Sequence, residues 1–239
     1  MISAAFNTLV YEPLYNGLVF LVDIIPSHDV GIAVIALTIV VRIILFPLSR
    51  RAIATQIQMK KIAPEVEALK EKYKDKREEQ GRAILTLYRE HGVRPFASFA
   101  LLLVQLPILI GLYWVFSNGG LPEVDTTLLY SFVPLPETVG MIFLGTIAMD
   151  GHSILLAFLA GATQFAYTRL SMGKRTPSTQ PSGTSFSSDM ARSFDLQVRF
   201  ILPIMVAVIS YYVVAAAPLY WATSNLFMIG QEYLMGRRF

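Results

Sequence analysis

The sequence predicts an all-α polytopic membrane protein whose chain crosses the bilayer five times. Hydrophobic residues make up 54% of the 239 residues and charged residues only 15%, with a mean hydropathy of +0.52. Soluble globular domains, in contrast, carry about 25% charged residues. Five long apolar runs follow one another along the chain. Between them the Lys and Arg residues are unevenly placed, since positions 1–41 and 95–168 contain none and positions 50–94 contain twelve.

Each predicted span is an apolar run close to the 17–25 residues that a transmembrane helix requires. The spans are predicted at 30–48, 96–117, 153–172, 200–215 and 218–236. Only Ala216 and Ala217 separate the last two spans, and Pro218 indicates a tight hairpin between them. Because Lys and Arg accumulate in cytoplasmic loops, the distribution predicts an outside N-terminus and a cytoplasmic C-terminus.

The segments between the spans differ in character. Residues 1–29 contain an apolar run of about 12 residues, too short to span, and are interpreted as an outer-face interfacial segment with a helix. Residues 118–152 form the outer loop, in which the apolar run 139–148 receives the same interpretation. Residues 173–199 are rich in Ser, Thr, Pro and Gly at their centre, which predicts a flexible cytoplasmic linker.

The long basic segment 49–95 predicts a cytoplasmic hairpin of two helices. An apolar stripe recurs with helical spacing at Met59, Ile62, Val66, Leu69 and Tyr73. A second helix is predicted from about residue 78 to residue 91, with Tyr88 among its apolar side chains and Gly92 at its C-terminal end. Two alternatives stay open: a solvated spacer between spans, or a basic amphipathic helix resting on anionic lipid.

Arg42 is the one cation deep inside a predicted span, since Arg169 lies at the cytoplasmic end of the third span. Arg42 lies six residues before the inner end, roughly 9 Å deep at 1.5 Å per residue. An intramembrane charge costs about 2.5–3.5 kcal/mol on insertion scales and marks a functional site by default. Snorkelling of the guanidinium to the inner headgroups is the alternative.

Other polar side chains lie at a similar depth. Gln105 in the second span and Gln164 in the third are roughly 8–11 Å from the inner surface. Thr38 shares a helix face with Arg42, and Tyr167 lies near Gln164. These groups could act as interhelical hydrogen-bond partners in a dry bundle. An arginine with only neutral partners nevertheless indicates a water-filled cavity in the inner half of the membrane.

The sequence contains no recognisable catalytic constellation or cofactor motif. There is no cysteine, no HExxH, no Walker A loop, no GxGxxG and no GxSxG. The three histidines are predicted on different sides of the membrane, which excludes a shared metal site. We therefore expect neither enzymatic activity nor a metal or cofactor, and no direct nucleic-acid specificity.

Five sequence segments resemble a known family in order and spacing. They are VVRIILFPLSRR, QMKKIAPEVEALKEKYK, LYREHGVRP, QLPILIGLYWVF and PLYWATSNLFMIGQ. They are similar to segments of the YidC/Oxa/Alb membrane protein insertases, in particular the short bacterial form, and the resemblance extends over nearly the whole chain, from about residue 11 to residue 236. The resemblance implies a five-span core around a hydrophilic groove that opens to the cytoplasm and to lipid.

The resemblance also implies roles for single residues. The groove arginine, glutamine and tryptophan of the family fall on Arg42, Gln164 and Trp221. Gln105, Thr38 and Tyr167 are added from the depth argument. The family's cytoplasmic hairpin falls on a segment whose candidate residues are Met59, Ile62, Pro64, Leu69, Tyr73 and Tyr88.

The implied activity is insertion of nascent membrane proteins into a bacterial inner membrane without covalent chemistry. Nascent membrane proteins and membrane lipids are the expected partners, and the Sec translocon and the ribosome are further candidates. The alternative function is a small transporter or channel that uses Arg42 for an anion. That reading would require inverted repeats, which the five predicted spans do not show.

Overall fold

The structure is a computed structural model that describes residues 2–74, 76–93, 96–117, 121–172 and 196–237. It is mostly helical, and the only strands in these ranges form one short hairpin. The chain divides into two compact units: Met1–Ile43 with Pro107–Phe239, and Ile44–Leu106. Most of the predicted linker, residues 173–195, lies outside the described residues.

The first unit begins with a helical segment from residue 2 to residue 24. It consists of α1 (Ile2–Phe6), a π-helical turn (Asn7–Tyr11) and α2 (Glu12–Ile24). The helix is longer than the apolar run predicted, and its Tyr15 and Leu18 are completely buried in the core of the unit. Asn16 holds the segment that precedes residue 131, because its Oδ1 accepts from the Tyr130 amide at 2.6 Å and its Nδ2 donates to the Leu128 carbonyl at 2.8 Å.

Five further helices follow the predicted spans with shifted ends. They are α3 (Val30–Ile44), α7 (Phe96–Ser117), α8 (Ile154–Met172), α9 (Leu202–Tyr212, after a π-helical turn at Gln197–Ile201) and α10 (Ala216–Leu234). α3 ends before the predicted residue 48 because Pro47 occupies the first turn of the next helix. α10 begins two residues before Pro218, which the first turn tolerates.

A helix that crosses a bilayer alone must be both long and apolar. Within the described ranges, no single helix is both long and apolar enough to cross alone. One pair of helices with a bend between them, Val30–Ile44 and Phe46–Lys61, meets the requirement jointly.

The interfacial-helix interpretation of residues 139–148 is wrong. This segment forms an antiparallel hairpin of β1 (Ile142–Phe143) and β2 (Ile147–Ala148), with Phe143 opposite Ile147. Leu144 and Gly145 have positive φ angles of 50° and 71°, a combination typical of tight hairpin turns. Asp29, at the start of α3, accepts a hydrogen bond from the Leu144 amide at 2.8 Å and thereby fixes the turn.

The second unit contains α4 (Phe46–Lys61), α5 (Ala63–Lys72) and α6 (Arg77–Glu90). The predicted apolar stripe is divided between α4 and α5, because Pro64 begins a new helix after Ile62. α5 and α6 pack through a small apolar cluster of Ile62, Val66, Leu87 and Val93, flanked by Met59, Leu69, Ile84 and Tyr88. Tyr73 follows the end of α5 and is not part of that cluster.

Candidate functional site

Arg42 lies in the last turn of α3 and is only 7% exposed. Its Nε donates a hydrogen bond to Ser224 Oγ on α10 at 3.3 Å. The guanidinium also interacts electrostatically with the hydroxyls of Tyr167 on α8 and Tyr220 on α10. Among the described residues, no carboxylate lies within ion-pair distance of Arg42. A buried positive charge is therefore surrounded by neutral hydroxyl groups.

Thr38 is buried one turn before Arg42 on α3. Its hydroxyl donates to the carbonyl oxygen of Val34 at 2.6 Å. The side chain thus satisfies its donor within its own helix, as buried threonines in apolar helices commonly do. Thr38 therefore adds a small polar surface one helical turn from Arg42, while its own hydrogen bond goes to Val34.

Gln164 and Trp221 connect α8 to α10. The Trp221 indole N–H donates to Gln164 Oε1 at 3.0 Å, and Gln164 Nε2 donates to Thr168 Oγ1 at 3.2 Å. One turn further along α10, Asn225 Nδ2 donates to Thr163 Oγ1 at 3.3 Å. These bonds fix the rotation of α8 relative to α10, so that their polar faces meet.

We call this set of side chains the polar cluster. Its members on α3, α8 and α10 are Thr38, Arg42, Thr163, Gln164, Tyr167, Thr168, Trp221, Ser224 and Asn225. Of the residues predicted from sequence, it unites Thr38, Arg42, Gln164, Tyr167 and Trp221. Gln105 is half-buried on α7 and belongs to the other compact unit.

Trp221 also borders an apolar cavity of about 220 Å³ in the first unit. The cavity is lined by α7, α9 and α10, through Leu109, Ile110, Tyr113, Ile209, Ser210, Val213, Ala217 and Trp221. The tryptophan therefore presents its N–H to the polar cluster while its ring lines an apolar space. Such amphipathic side chains suit a boundary between wet and apolar surroundings.

Sequence analysis missed the partners that α10 supplies. Ser224 and Asn225 follow Trp221 by three and four residues, so all three share one helix face. That spacing was readable in the string PLYWATSNL. The signal is weak, because a serine and an asparagine in an apolar helix are equally typical of helix packing.

A buried ion pair at the end of α10 was also missed. Glu232 is completely buried, and Arg237 Nη1 lies 3.0 Å from its Oε1. The same Nη1 donates to the carbonyl oxygen of Ser171, on α8, at 2.8 Å and to its Oγ at 3.2 Å. The pair therefore ties the end of α10 to the end of α8.

The site offers no recognisable metal chemistry. In the ranges that the structure describes, no three His, Asp or Glu side chains lie close enough to hold an ion. What the polar cluster can supply is a positive charge, amide and hydroxyl groups, and an adjoining apolar surface.

The described part of the chain is thus a strongly apolar helical protein in which a buried cation and amide side chains lie between helices. Comparison with known proteins identifies its group: the chain belongs to the 60Kd inner membrane protein family, whose model matches residues 20–239. The family resemblance seen in the sequence is thereby confirmed.

Individual relatives carry a common description, "Membrane protein insertase YidC". One from Clostridium tetani is 32% identical over 209 residues, covering 87% of this chain and 82% of the relative. One from Fusobacterium nucleatum is 30% identical over 231 residues, covering 96% and 98%. A longer relative from Lawsonia intracellularis is 30% identical over 231 residues, which are 97% of this chain and 39% of that protein.

Proposed function

We propose that the protein is a membrane protein insertase that draws the polar flank of a nascent membrane protein into a water-filled groove beside Arg42. The observation that carries the proposal is the buried guanidinium with hydroxyl partners and no carboxylate partner among the described residues. The names of the relatives support the insertase activity. Substrates are nascent membrane proteins in general, and the Sec translocon and the ribosome are proposed partners.

The surroundings of Arg42 favour a groove over snorkelling. A snorkelling arginine extends its charged group to water at the headgroups, whereas Arg42 is almost completely enclosed and donates to Ser224 on another helix. Holding a charge in a dry bundle costs several kcal/mol unless it is well paired. Water among the hydroxyls of the polar cluster lowers that cost and leaves the charge available to a ligand.

The groove reduces the physical work of insertion. The hydrocarbon core is about 30 Å thick, and every polar group that crosses it without a partner costs several kcal/mol. A water-filled groove that extends partway through the hydrocarbon core leaves a thinner water-free layer for the polar flank to cross. The apolar segment of the substrate then moves into lipid, which supplies about 25 cal/mol per Å² of apolar surface removed from water. The membrane potential adds about 2.3 kcal/mol per 100 mV for each acidic residue that moves outward.

The arrangement in the membrane is proposed as follows. The five spans, near the ranges predicted from sequence, surround the groove, with the N-terminus outside and the C-terminus in the cytoplasm. The α5–α6 hairpin lies on the cytoplasmic side. The cation-free outer segments support this orientation. A cysteine introduced at Glu137 should react with a membrane-impermeant reagent in intact cells, and one at Ser182 only after permeabilisation. Protection of position 137 in intact cells would contradict the arrangement.

The charge of Arg42 is tested by substitution. Arg42→Lys should retain most activity, since an ammonium in water attracts an acidic flank without bidentate geometry. Arg42→Ala should lower insertion of a substrate with an acidic flank by about tenfold, as expected for one charge at close range in a partly hydrated site. Arg42→Glu should lower it further. A matched substrate with a neutral flank should lose less, because apolar burial drives its insertion.

The measurement is insertion of both substrates in cells depleted of other insertases, with the abundance of each variant checked. Arg169→Ala is the matched control, because Arg169 is an exposed cation near the end of α8. Equal insertion of the acidic-flank substrate by wild type and Arg42→Ala would refute the role of the charge.

A separate experiment tests contact with the substrate. Photo-crosslinkers at Gln164 and Trp221 should capture a stalled nascent membrane protein, whereas one at the exposed Phe158 should not.

A further inference from the structure

The β1–β2 hairpin is joined to the ends of two helices. At one side of its base, the Gly140 amide donates to the His28 carbonyl and the Gly140 carbonyl oxygen accepts from the Val30 amide, both at 2.9 Å. At the other side, the Met149 carbonyl oxygen accepts from the Ala216 amide at 3.1 Å. The hairpin therefore lies at the first residues of α3 and α10, the ends that the proposed arrangement places at the outer face of the membrane.

The two faces of strand β1 differ in their surroundings. Phe143 packs against α3, where it covers Gly31 so closely that a Cβ at this glycine would overlap the phenyl ring. Its neighbours along the strand, Ile142 and Leu144, face away from α3 and are 58% and 66% exposed. Such alternation is expected of a strand with one packed face. Two large apolar side chains are therefore exposed at the level of the helix ends.

Leu144 has a backbone conformation that leucine rarely adopts. Its φ is +50°, in a region where Gly, Asn and Asp are common and bulky residues are outliers. The buried Asp29 carboxylate holds this conformation by accepting from the Leu144 amide at 2.8 Å. Strain that the surrounding structure maintains is typical of functional positions. The chain thus keeps an exposed leucine where asparagine or glycine would form the turn with less strain.

The charge around the hairpin indicates which surface these side chains can contact. Residues 95–168 contain no Lys or Arg, whereas Glu137 and Asp150 flank the hairpin. These acidic neighbours disfavour anionic headgroups and acidic protein surfaces. Uncharged hydrocarbon is the surface that fits, and it begins beside the helix ends to which the hairpin is joined. Interfacial segments bury apolar side chains to a depth of roughly 5–10 Å at this boundary.

We propose that Ile142 and Leu144 form a lipid-binding tip that inserts into the outer leaflet, at the boundary between headgroups and acyl chains. The inference rests on the proposed function, through its arrangement of the spans in the membrane. The tip binds by apolar burial, so its contact with lipid does not require anionic headgroups. Asp29 and Phe143 join the tip to α3, the helix that carries Arg42.

Site-specific fluorescence in lipid vesicles tests the lipid-binding tip. The chain contains no cysteine, so a single cysteine at Leu144 can carry an environment-sensitive dye. In phosphatidylcholine vesicles with a nitroxide near the top of the acyl chain, this dye should lose about as much fluorescence as a dye at the exposed Phe158 of α8. A dye at Glu137, exposed in the same loop, should lose little. Added phosphatidylglycerol or salt should not change the loss at Leu144.

A dye at Ile142 separates the contribution of Leu144 from the dye's own affinity for lipid. Leu144→Asn suits the positive φ better than leucine does, so the turn is retained while the apolar side chain is lost. The equilibrium of the tip should shift from lipid toward water by about tenfold, the effect of leaving one leucine side chain in water. The fluorescence loss at Ile142 should therefore decrease in Leu144→Asn and persist in Leu144→Met. Equal losses in the two variants would overturn the proposal.

The outcomes separate this inference from the proposed function. Quenching at Phe158 without quenching at Leu144 overturns the lipid-binding tip alone, and so does quenching at Leu144 that requires anionic lipid. Absence of quenching at both positions overturns the membrane arrangement, and the tip with it. Quenching at both positions supports the tip even if Arg42→Ala inserts the acidic-flank substrate normally, because no substrate takes part in the measurement.

Discussion

Replacing Asp29 by alanine is expected to destabilise the protein by about 3 kcal/mol. Asp29 is 7% exposed, and its Oδ1 accepts from the amides of Gly31 at 2.7 Å and Ile32 at 3.2 Å. Loss of such a helix N-cap costs about 1 kcal/mol. Its Oδ2 accepts from the Leu144 amide at 2.8 Å, and a hydrogen bond to an ionised group contributes about 1.5–3 kcal/mol. The two losses together give the estimate.

The assay is thermal unfolding of the purified protein in detergent. For chains of 150–250 residues, 1 kcal/mol shifts the Tm by about 2–4 °C, so the expected decrease is roughly 6–12 °C. Asp29→Asn should lose less, because its amide oxygen can still cap α3 while its NH₂ group cannot accept from Leu144. Asp150→Ala, an exposed acidic residue of the same outer loop, is the control. Equal Tm values for Asp29→Ala and Asp150→Ala would refute the reasoning.

Helix positions followed well from the sequence, and helix ends followed less well. The length of each apolar run predicted a helix near each of the five proposed spans. Hydropathy alone, however, does not show where one helix ends and the next begins. The run ending at residue 48 contains Pro47, and the stripe through Ile62 contains Pro64; in both places the structure begins a new helix. Both breaks follow from proline's missing amide hydrogen and its fixed φ.

The hairpin at residues 142–148 could not be predicted from local signals. Its ten-residue apolar region lacks the alternation typical of a half-buried strand, and Leu144 is an unusual residue for a positive φ. What fixes the turn is the carboxylate of Asp29, 115 residues earlier in the chain. Such a long-range contact is visible only once the fold is known.

The sequence predicted how deep in the membrane the candidate site residues lie, but not which residues of neighbouring helices they contact. Counting residues along each span placed Arg42 and Gln164 at one level of the membrane. It could not show that Arg42 reaches Ser224, or that Gln164 accepts from Trp221, because these bonds depend on how each helix is rotated. Glu232 lies near the inner end of the last predicted span, and its complete burial likewise depends on helix packing that counting along the span does not show.

Two further predictions concern the hairpin of the second unit and the outer loop. Leu87→Ala should cost about 2–3 kcal/mol of local stability, because Leu87 is buried in a small apolar cluster. Amide hydrogen exchange in α6 should therefore be faster in this variant. Leu85→Ala, at a 57% exposed position, is the control and should change the exchange rate little. Hydrogen bonds from the Thr127 hydroxyl, at 2.6 Å, and amide, at 2.9 Å, lower the pKa of the exposed Asp125. The stabilisation of this turn is therefore present above the ordinary carboxyl pKa and is lost as the pH falls through the lowered one. Thr127→Val removes the hydroxyl bond and keeps the amide bond, so the Asp125 pKa should rise part of the way to its ordinary value, whereas Thr127→Ser should leave it low. An NMR titration of the carboxyl carbon measures this directly, and identical pKa values in Thr127→Val and the wild type would show that the hydroxyl contributes nothing.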